Sequence, residues 1–336
     1  MRARYWHTLE DGRIECEVCP RRCHLREGQA GYCFVRQNHG GVLDLVTYGR
    51  TSGLAIDPIE KKPIYHVLPG SSVLSFGTAG CNLGCRFCQN WHISTAKRLD
   101  VLSADAPPEA IAQMAVTHGC SDVAYTYNEP TIYPEYAIDT AQAVHAAGLL
   151  NIAVTAGYIN PEPRDDFFAV MDAANVDLKS INPTFYRQLT GGRLEVVQET
   201  LKYLAHETNV WLEVTTLLIP GENDSTAELH QLADWVLGEL GPDIPLHLSA
   251  FHPANRMLDT APTPASTVLR ARQIALDAGL RYVYSGNISD DNGTITYCPS
   301  CNEPLIVRRG FREAVNKLAD GQCPCCQTPI PGHWRS

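Results

Sequence analysis

Three cysteines stand together in SFGTAGCNLGCRFCQNWHIS, residues 75 to 94: Cys81, Cys85 and Cys88, in a C-x3-C-x2-C spacing with glycines threaded between them. Thiolates at such short gaps bind zinc or iron-sulfur clusters, and both ordinarily take four ligands where this loop supplies three. Two completions are open. His92 would close a structural zinc site, whereas a cluster held by three thiolates keeps one iron free to bind a chelating ligand.

The chain carries 13 cysteines, too many to be incidental. Besides the loop there is a set near the amino end, Cys16, Cys19, Cys23 and Cys33, and a set near the carboxyl end, Cys298, Cys301, Cys323, Cys325 and Cys326. Only Cys120 stands alone, and it reads as a small buried apolar side chain. Two C-x2-C knuckles, Cys298 with Cys301 and Cys323 with Cys326, predict one tetrahedral four-thiolate site, zinc or a rubredoxin-like iron, with Cys325 as a spare. The amino-terminal four suit zinc or an auxiliary iron-sulfur cluster.

These groups need a frame. Between residues 71 and 290 short apolar runs alternate with amphipathic stretches. Strands are expected at 72–76, 122–127, 150–155, 175–179, 210–215, 246–251 and 282–285, and helices at 107–118, 133–147, 195–206, 226–237 and 264–278. Proline opens several of the helices and glycine follows others, the usual punctuation. Strand and helix repeated in this way predict a parallel sheet, closed or partly closed into a barrel.

Polar motifs recur at the carboxyl ends of these strands. They are the cysteine loop, Asn128-Glu129-Pro130, Thr155-Ala156-Gly157, Asp177 with Lys179, Pro220-Gly221-Glu222-Asn223-Asp224, His252-Pro253 and Gly286-Asn287. In parallel α/β barrels that end carries the active site, so one site built from six or seven loops is expected. Strand alternation turns Asp177 and Lys179 to one face, where they must pair or meet a ligand. Residues 1–70 break the rhythm as a cysteine-rich region, and 291–336 break it again as a small tail that a metal could hold together.

Of 336 residues 44% are hydrophobic and 19% charged, ordinary for a globular protein, and the net charge is −10. That balance argues against a nucleic-acid or membrane-surface role. No signal peptide and no run of about 18 apolar residues is visible, so a cytoplasmic protein is expected.

The cysteine spacing, with its surroundings, resembles the radical S-adenosylmethionine (SAM) enzymes, in the branch related to pyruvate formate-lyase activating enzymes. CEVCPRRC, YTYNEPT, DLKS, LLIPGEND and the final YCPSC, CPCC and IPGHW, in that order, look most like the radical SAM member of the AmmeMemoRadiSam system, over nearly the whole chain. The resemblance implies a partial (β/α)6 TIM-like barrel, with a [4Fe-4S] cluster on Cys81, Cys85 and Cys88. SAM would chelate the fourth iron and be cleaved to a 5'-deoxyadenosyl radical that takes a hydrogen atom from an unknown substrate. It further implies that Asn128, Glu129, Thr155, Asp177, Lys179 and His252 meet SAM, with Tyr127 and Asn128 standing where relatives have two glycines. Val154 stands where the activases have an aspartate, so their cation beside SAM is not carried over. Memo-type and AMMECR-type partner proteins and an external electron donor are implied as well. Two other functions compete: a glycyl-radical-enzyme activase, and a non-catalytic iron-sulfur and zinc electron-transfer or scaffold protein.

Overall fold

The computed structural model describes residues 1–96, 104–290 and 292–334. Near the amino end, β1 (Trp6–Thr8), β2 (Ile14–Cys16) and β3 (His24–Leu25) form a small antiparallel sheet, and β4 (Arg36–His39) pairs with β5 (Val42–Leu45) across Gly40-Gly41. Both glycines have positive φ, as so tight a hairpin demands.

The central sheet has nine strands: β6 (Arg50–Pro58), β7 (Ser72–Gly77), β8 (Ala104–Asp105), β9 (Asp122–Tyr125), β10 (Leu150–Thr155), β11 (Ala173–Asp177), β12 (Trp211–Leu218), β13 (Leu246–Ala250) and β14 (Val283–Gly286). Its order is β14-β13-β12-β11-β10-β9-β7-β6-β8. The run from β7 through β9 to β14 is parallel, and β6 and β8 cap one edge antiparallel. Each parallel strand lies beside its predecessor, so right-handed crossovers all advance in one direction and carry their helices to the same face. Those helices are α2 (Pro108–Thr117), α3 (Pro134–Ala146), α4 (Pro161–Phe168), α6 (Leu194–Glu207), α7 (Thr226–Glu239) and α8 (Ala265–Ala278), with the short α1 (Trp91–Ser94) and α5 (Pro183–Phe185) in loops.

Two strands stop earlier than their apolar runs suggest. At β9 the chain turns at Tyr127, whose φ of 69° closes a tight bend in which Asn128 N–H donates to the Thr126 carbonyl. Beyond Asp177 the backbone leaves the ladder, because the Leu178 carbonyl accepts from the Thr216 hydroxyl and the Lys179 carbonyl from Asn223 Nδ2. Lys179 therefore sits just past its strand, not in it. The sheet also takes in Arg50–Pro58, so a division at residue 70 cuts through it.

The face opposite the helices is partly filled by the segment joining β6 to β7. Ile59, Ile64 and Val67 pack on Val73, Ala124, Ile152 and Ala173. Glu213 of β12, wholly buried, accepts backbone N–H groups of Tyr65 (2.9 Å) and His66 (2.8 Å) and Nε2–H of His247 (2.6 Å). A carboxylate so deep is tolerable only because its lone pairs are all used.

The tail strands β15 (Thr296–Tyr297), β16 (Pro304–Arg309) and β17 (Arg312–Asn316) form a separate three-stranded sheet. It docks on the same joining segment: Arg308 donates to the Tyr65 carbonyl (2.7 Å), and His66 Nδ1–H donates to the Pro331 carbonyl (2.7 Å). Tyr65, Tyr282, Tyr284, Leu305 and Ile306 make its apolar contact with the sheet.

Candidate active site: three thiols at the wall of one cavity

Side chains that alternate along the parallel strands, Asp177 after Asn175, Thr215 and Leu217 after Glu213, and Ser249 after His247, point to one face. There they border a cavity of about 510 Å³, whose rim includes Cys81, Cys85 and Cys88. All three cysteines are half-buried residues at its wall.

The loop that carries them is held by amides from other elements. Asn128 accepts Thr78 N–H (3.0 Å) and donates to the Gly80 (2.8 Å) and Ala79 (3.3 Å) carbonyls. Gly77 makes that approach possible, since a Cβ there would lie 2.4 Å from the Thr126 carbonyl oxygen. Asn255, from the loop after β13, donates to the Cys85 carbonyl (3.1 Å), and Asn90 donates to that of Tyr127 (2.8 Å). On the other side, Gly84 and Arg86 N–H groups donate to the carbonyls of Thr190 and Leu189, both 2.8 Å.

Burial and the Glu129 carboxylate push the Cys81 thiol well above its usual range. Burial likewise pushes Cys85 up to about 11, against the pull of the Lys179 ammonium. Without a cation both are thiols, so loading iron must release protons.

Glu129 is 3% exposed, and both of its carboxylate oxygens accept hydrogen bonds. Its Oε1 accepts from the Thr155 hydroxyl (2.5 Å) and Thr131 N–H (3.1 Å), its Oε2 from Ala156 N–H (2.7 Å). Burial raises its pKa and those donors oppose the rise. It caps the short turn Pro130–Ile132 and also borders the cavity. Thr155, buried at 3% exposure, donates to Glu129 and is not among the residues bordering the cavity.

Asp177 and Lys179 meet at 2.7 Å, on the cavity wall. Burial would lower the Lys179 pKa, but Asp177 holds it above its ordinary value, so the ammonium stays charged. His252 is exposed and is not among the residues bordering the cavity, and His92 is likewise exposed. Of the turn after β12, Glu222 points outward, while Asn223 ties that loop to Lys179 and Leu217. The spacing of polar residues did not mark Lys62, His247, Ser285 or Phe311, which also border the cavity. Lys62 alone had a visible cue, an unusual Glu-Lys-Lys-Pro before a strand.

In the tail, the Sγ atoms of Cys298, Cys301, Cys323 and Cys326 all lie within 4.8 Å of one another, with 3.5 Å between Cys298 and Cys326 and 3.6 Å between Cys301 and Cys323. Cys325 lies outside that group. Hydrogen bonds from Thr328, with help from the neighbouring thiols, lower the Cys326 pKa below its ordinary value.

The parallel sheet with a three-cysteine loop after its first parallel strand defines a class, and residues 76–233 match the family described as the Radical SAM superfamily. The chain belongs to that superfamily, whose enzymes imply a [4Fe-4S] cluster and SAM. Over 330 residues, 98% of either chain, it is 41% identical to an uncharacterized protein of Methanocaldococcus jannaschii. It is 22% identical over 169 residues, 47% of this chain and 63% of the other, to the pyruvate formate-lyase-activating enzyme of Streptococcus mutans. Its fold is similar to that of a radical SAM methyltransferase from Sphaerobacter thermophilus, with a TM-score of 0.52 at 17% identity over 67% of this chain and 68% of that one.

Proposed function

We infer that this chain is a partial-barrel radical SAM enzyme of the AmmeMemoRadiSam type. Cys81, Cys85 and Cys88 would hold a [4Fe-4S] cluster, and SAM would chelate its fourth iron. One observation carries the reading: the three thiols, Glu129 and the Asp177–Lys179 pair border a single cavity of about 510 Å³, within the size range of small-molecule sites. When loaded, the cluster and SAM would supply one-electron cleavage and a 5'-deoxyadenosyl radical for hydrogen abstraction.

The protein's own part is placement. Asn128, Asn90 and Asn255 fix the cysteine loop, Glu129 offers its carboxylate edge toward an ammonium group, and the Lys179 charge suits a carboxylate. The strand face, lined by Thr215, Leu217 and Ser249, would shield the reacting centre from water. His252, being exposed, would serve adenosine only after a movement of its loop.

The tail's four sulfurs fit one tetrahedral ion, since a Zn–S distance of about 2.3 Å puts thiolates a little under 4 Å apart. We assign it as a zinc-ribbon-like site in a cytoplasmic enzyme that draws electrons from an external donor and takes its substrate from, or together with, Memo-type and AMMECR-type proteins.

The test is 5'-deoxyadenosine formation by anaerobically reconstituted, reduced protein with SAM. The wild type should form it and Cys85→Ala should not; equal rates in the two would overturn the assignment. The 22% identity to the Streptococcus mutans activating enzyme favours a second reading, a glycyl-radical activase. It predicts a glycyl radical signal in a partner protein, where the first predicts a modified small molecule or partner without one.

A further inference from the structure

The amino-terminal cysteines are built differently from those of the tail. Cys16, Cys19 and Cys33 are each less than 10% exposed, and all four members, with Cys23, border one cavity of about 10 Å³. The centre of a water-sized sphere can range over that volume, so the four cysteines stand back from one another around it. Four thiolates gathered on one zinc at about 2.3 Å leave no such room between them. The tail set, whose sulfurs all lie within 4.8 Å of one another, is the close-packed contrast within this same chain.

Two residues that line the cavity each carry a buried polar atom without a hydrogen bond. Arg36 is 1% exposed; its two terminal nitrogens are spent on Glu135 at 2.8 and 2.9 Å, but its Nε–H makes no hydrogen bond. Asn82 is 1% exposed; its Nδ2 donates to the Tyr158 carbonyl (2.8 Å), while Oδ1 accepts nothing. The buried Nε–H of this charged side chain lies among four cysteines without a well-formed hydrogen bond, and thiolate or inorganic sulfur is the acceptor such a place can offer. The cation also offsets the negative charge that four thiolates bring.

The cavity adjoins the SAM-cluster loop. Asn82 directly follows Cys81, and Gly80 has no Cβ because one would lie 2.0 Å from the Cys33 carbonyl oxygen. Arg21, between Cys19 and Cys23, donates to the Asn82 carbonyl (2.5 Å).

We propose that Cys16, Cys19, Cys23 and Cys33 hold a second iron-sulfur cluster, not zinc, with Arg36 Nε–H donating to its sulfur. Four protein thiolates leave no iron open for substrate, so its work is electron transfer. Its contact with the Cys81 loop makes it the entry point for the electron that the SAM cluster needs: one electron from an external reductant reduces this cluster, which then reduces its neighbour.

The cluster assignment itself does not depend on what binds at Cys81, Cys85 and Cys88, whereas the electron-entry role rests on the proposed function, and the test keeps the two apart. In the full chain, reconstituted anaerobically, with all three of those cysteines changed to alanine, we expect about four irons and about four acid-labile sulfides per chain and a cluster signal in electron paramagnetic resonance after reduction. Mononuclear sites contain no labile sulfide, so a soluble triple variant without sulfide, holding only zinc, overturns the proposal. Should that variant fail to fold, the wild type decides: about eight labile sulfides support the second cluster, and about four overturn it. Arg36→Met should then shift the second cluster's reduction potential while leaving its iron content unchanged; a potential identical to wild type would remove Arg36 from the assignment.

Discussion

At the scale of single residues, the cysteine loop depends on amides that bear no chemistry of their own. Asn128 bonds Thr78, Ala79 and Gly80 at once, and its replacement leaves several buried backbone groups unpaired. Asn128→Ala should destabilise the cluster-free protein by roughly 1–3 kcal/mol in urea unfolding and lower the iron bound per chain. Unchanged stability would mean that the loop is held from elsewhere. Spacing alone made Cys81, Cys85 and Cys88 legible, because ligand geometry leaves a mark in sequence. It could not reveal Asn90 or Asn255, since their partners lie in distant loops and any short polar side chain reads alike. Tyr127 is an instructive departure. Relatives of the activase type were expected to carry glycine there, and the tyrosine nevertheless adopts a φ of 69°, a conformation that favours glycine. Its backbone is thereby turned so that the carbonyl receives Asn90.

At the scale of elements, the joining segment 59–70 couples sheet and tail through ionisable groups. His66 is fully buried and neutral: Nδ1–H donates to Pro331, and Nε2 accepts from the Tyr284 hydroxyl at 2.7 Å. Burial lowers its pKa from 6.5 to about 4, partly countered by Glu213. The unfolded chain then binds a proton that the folded one refuses, so stability rises with pH across that window. On acidification from about pH 6.5 to about pH 4 the protein should lose on the order of 3 kcal/mol from this residue, and His66→Asn should flatten the slope. An identical slope in the variant would place the acid sensitivity elsewhere. Glu213 acts in the same sense. Burial would raise it, but the hydrogen bond from His247 and the neighbouring histidines hold it below its ordinary value.

The tail gathers four sulfurs that could hold one metal ion. Cys301→Ser should remove the tail's metal and open residues 292–334 to limited proteolysis, while the cluster signal of the central sheet persists. A protease-resistant, metal-free tail would show that docking through Arg308 and His66 suffices. The strands were readable because each is a short apolar run bounded by turn residues. Helix Pro161–Phe168 was not, because PEPRDDFF shows no apolar stripe and only Pro163, Phe167 and Phe168 are buried. Nor did the segment 59–70 announce itself as a filler of the sheet's face. Its anchors are backbone N–H groups received by Glu213, a residue nearly 150 positions away.

At the scale of the whole molecule, the three cysteine sets differ in setting. One lies at the wall of the 510 Å³ cavity, one lines the small cavity next to the Cys81 loop, and one gathers four sulfurs within the reach of a single ion. The net charge of −10 suits a protein that meets small molecules or other proteins, not a nucleic-acid backbone. Among the described residues no helix is long and apolar enough to cross a membrane.

The central claim is that the iron left open by Cys81, Cys85 and Cys88 binds SAM through its amino and carboxylate groups. It is tested most directly by electron-nuclear double resonance of the reduced, full-length protein, using SAM labelled with nitrogen-15 at the amino group. A nitrogen coupling to the cluster, absent in Cys85→Ala, is the predicted result. A cluster with intact iron and sulfide content and no nitrogen coupling at saturating SAM would contradict it.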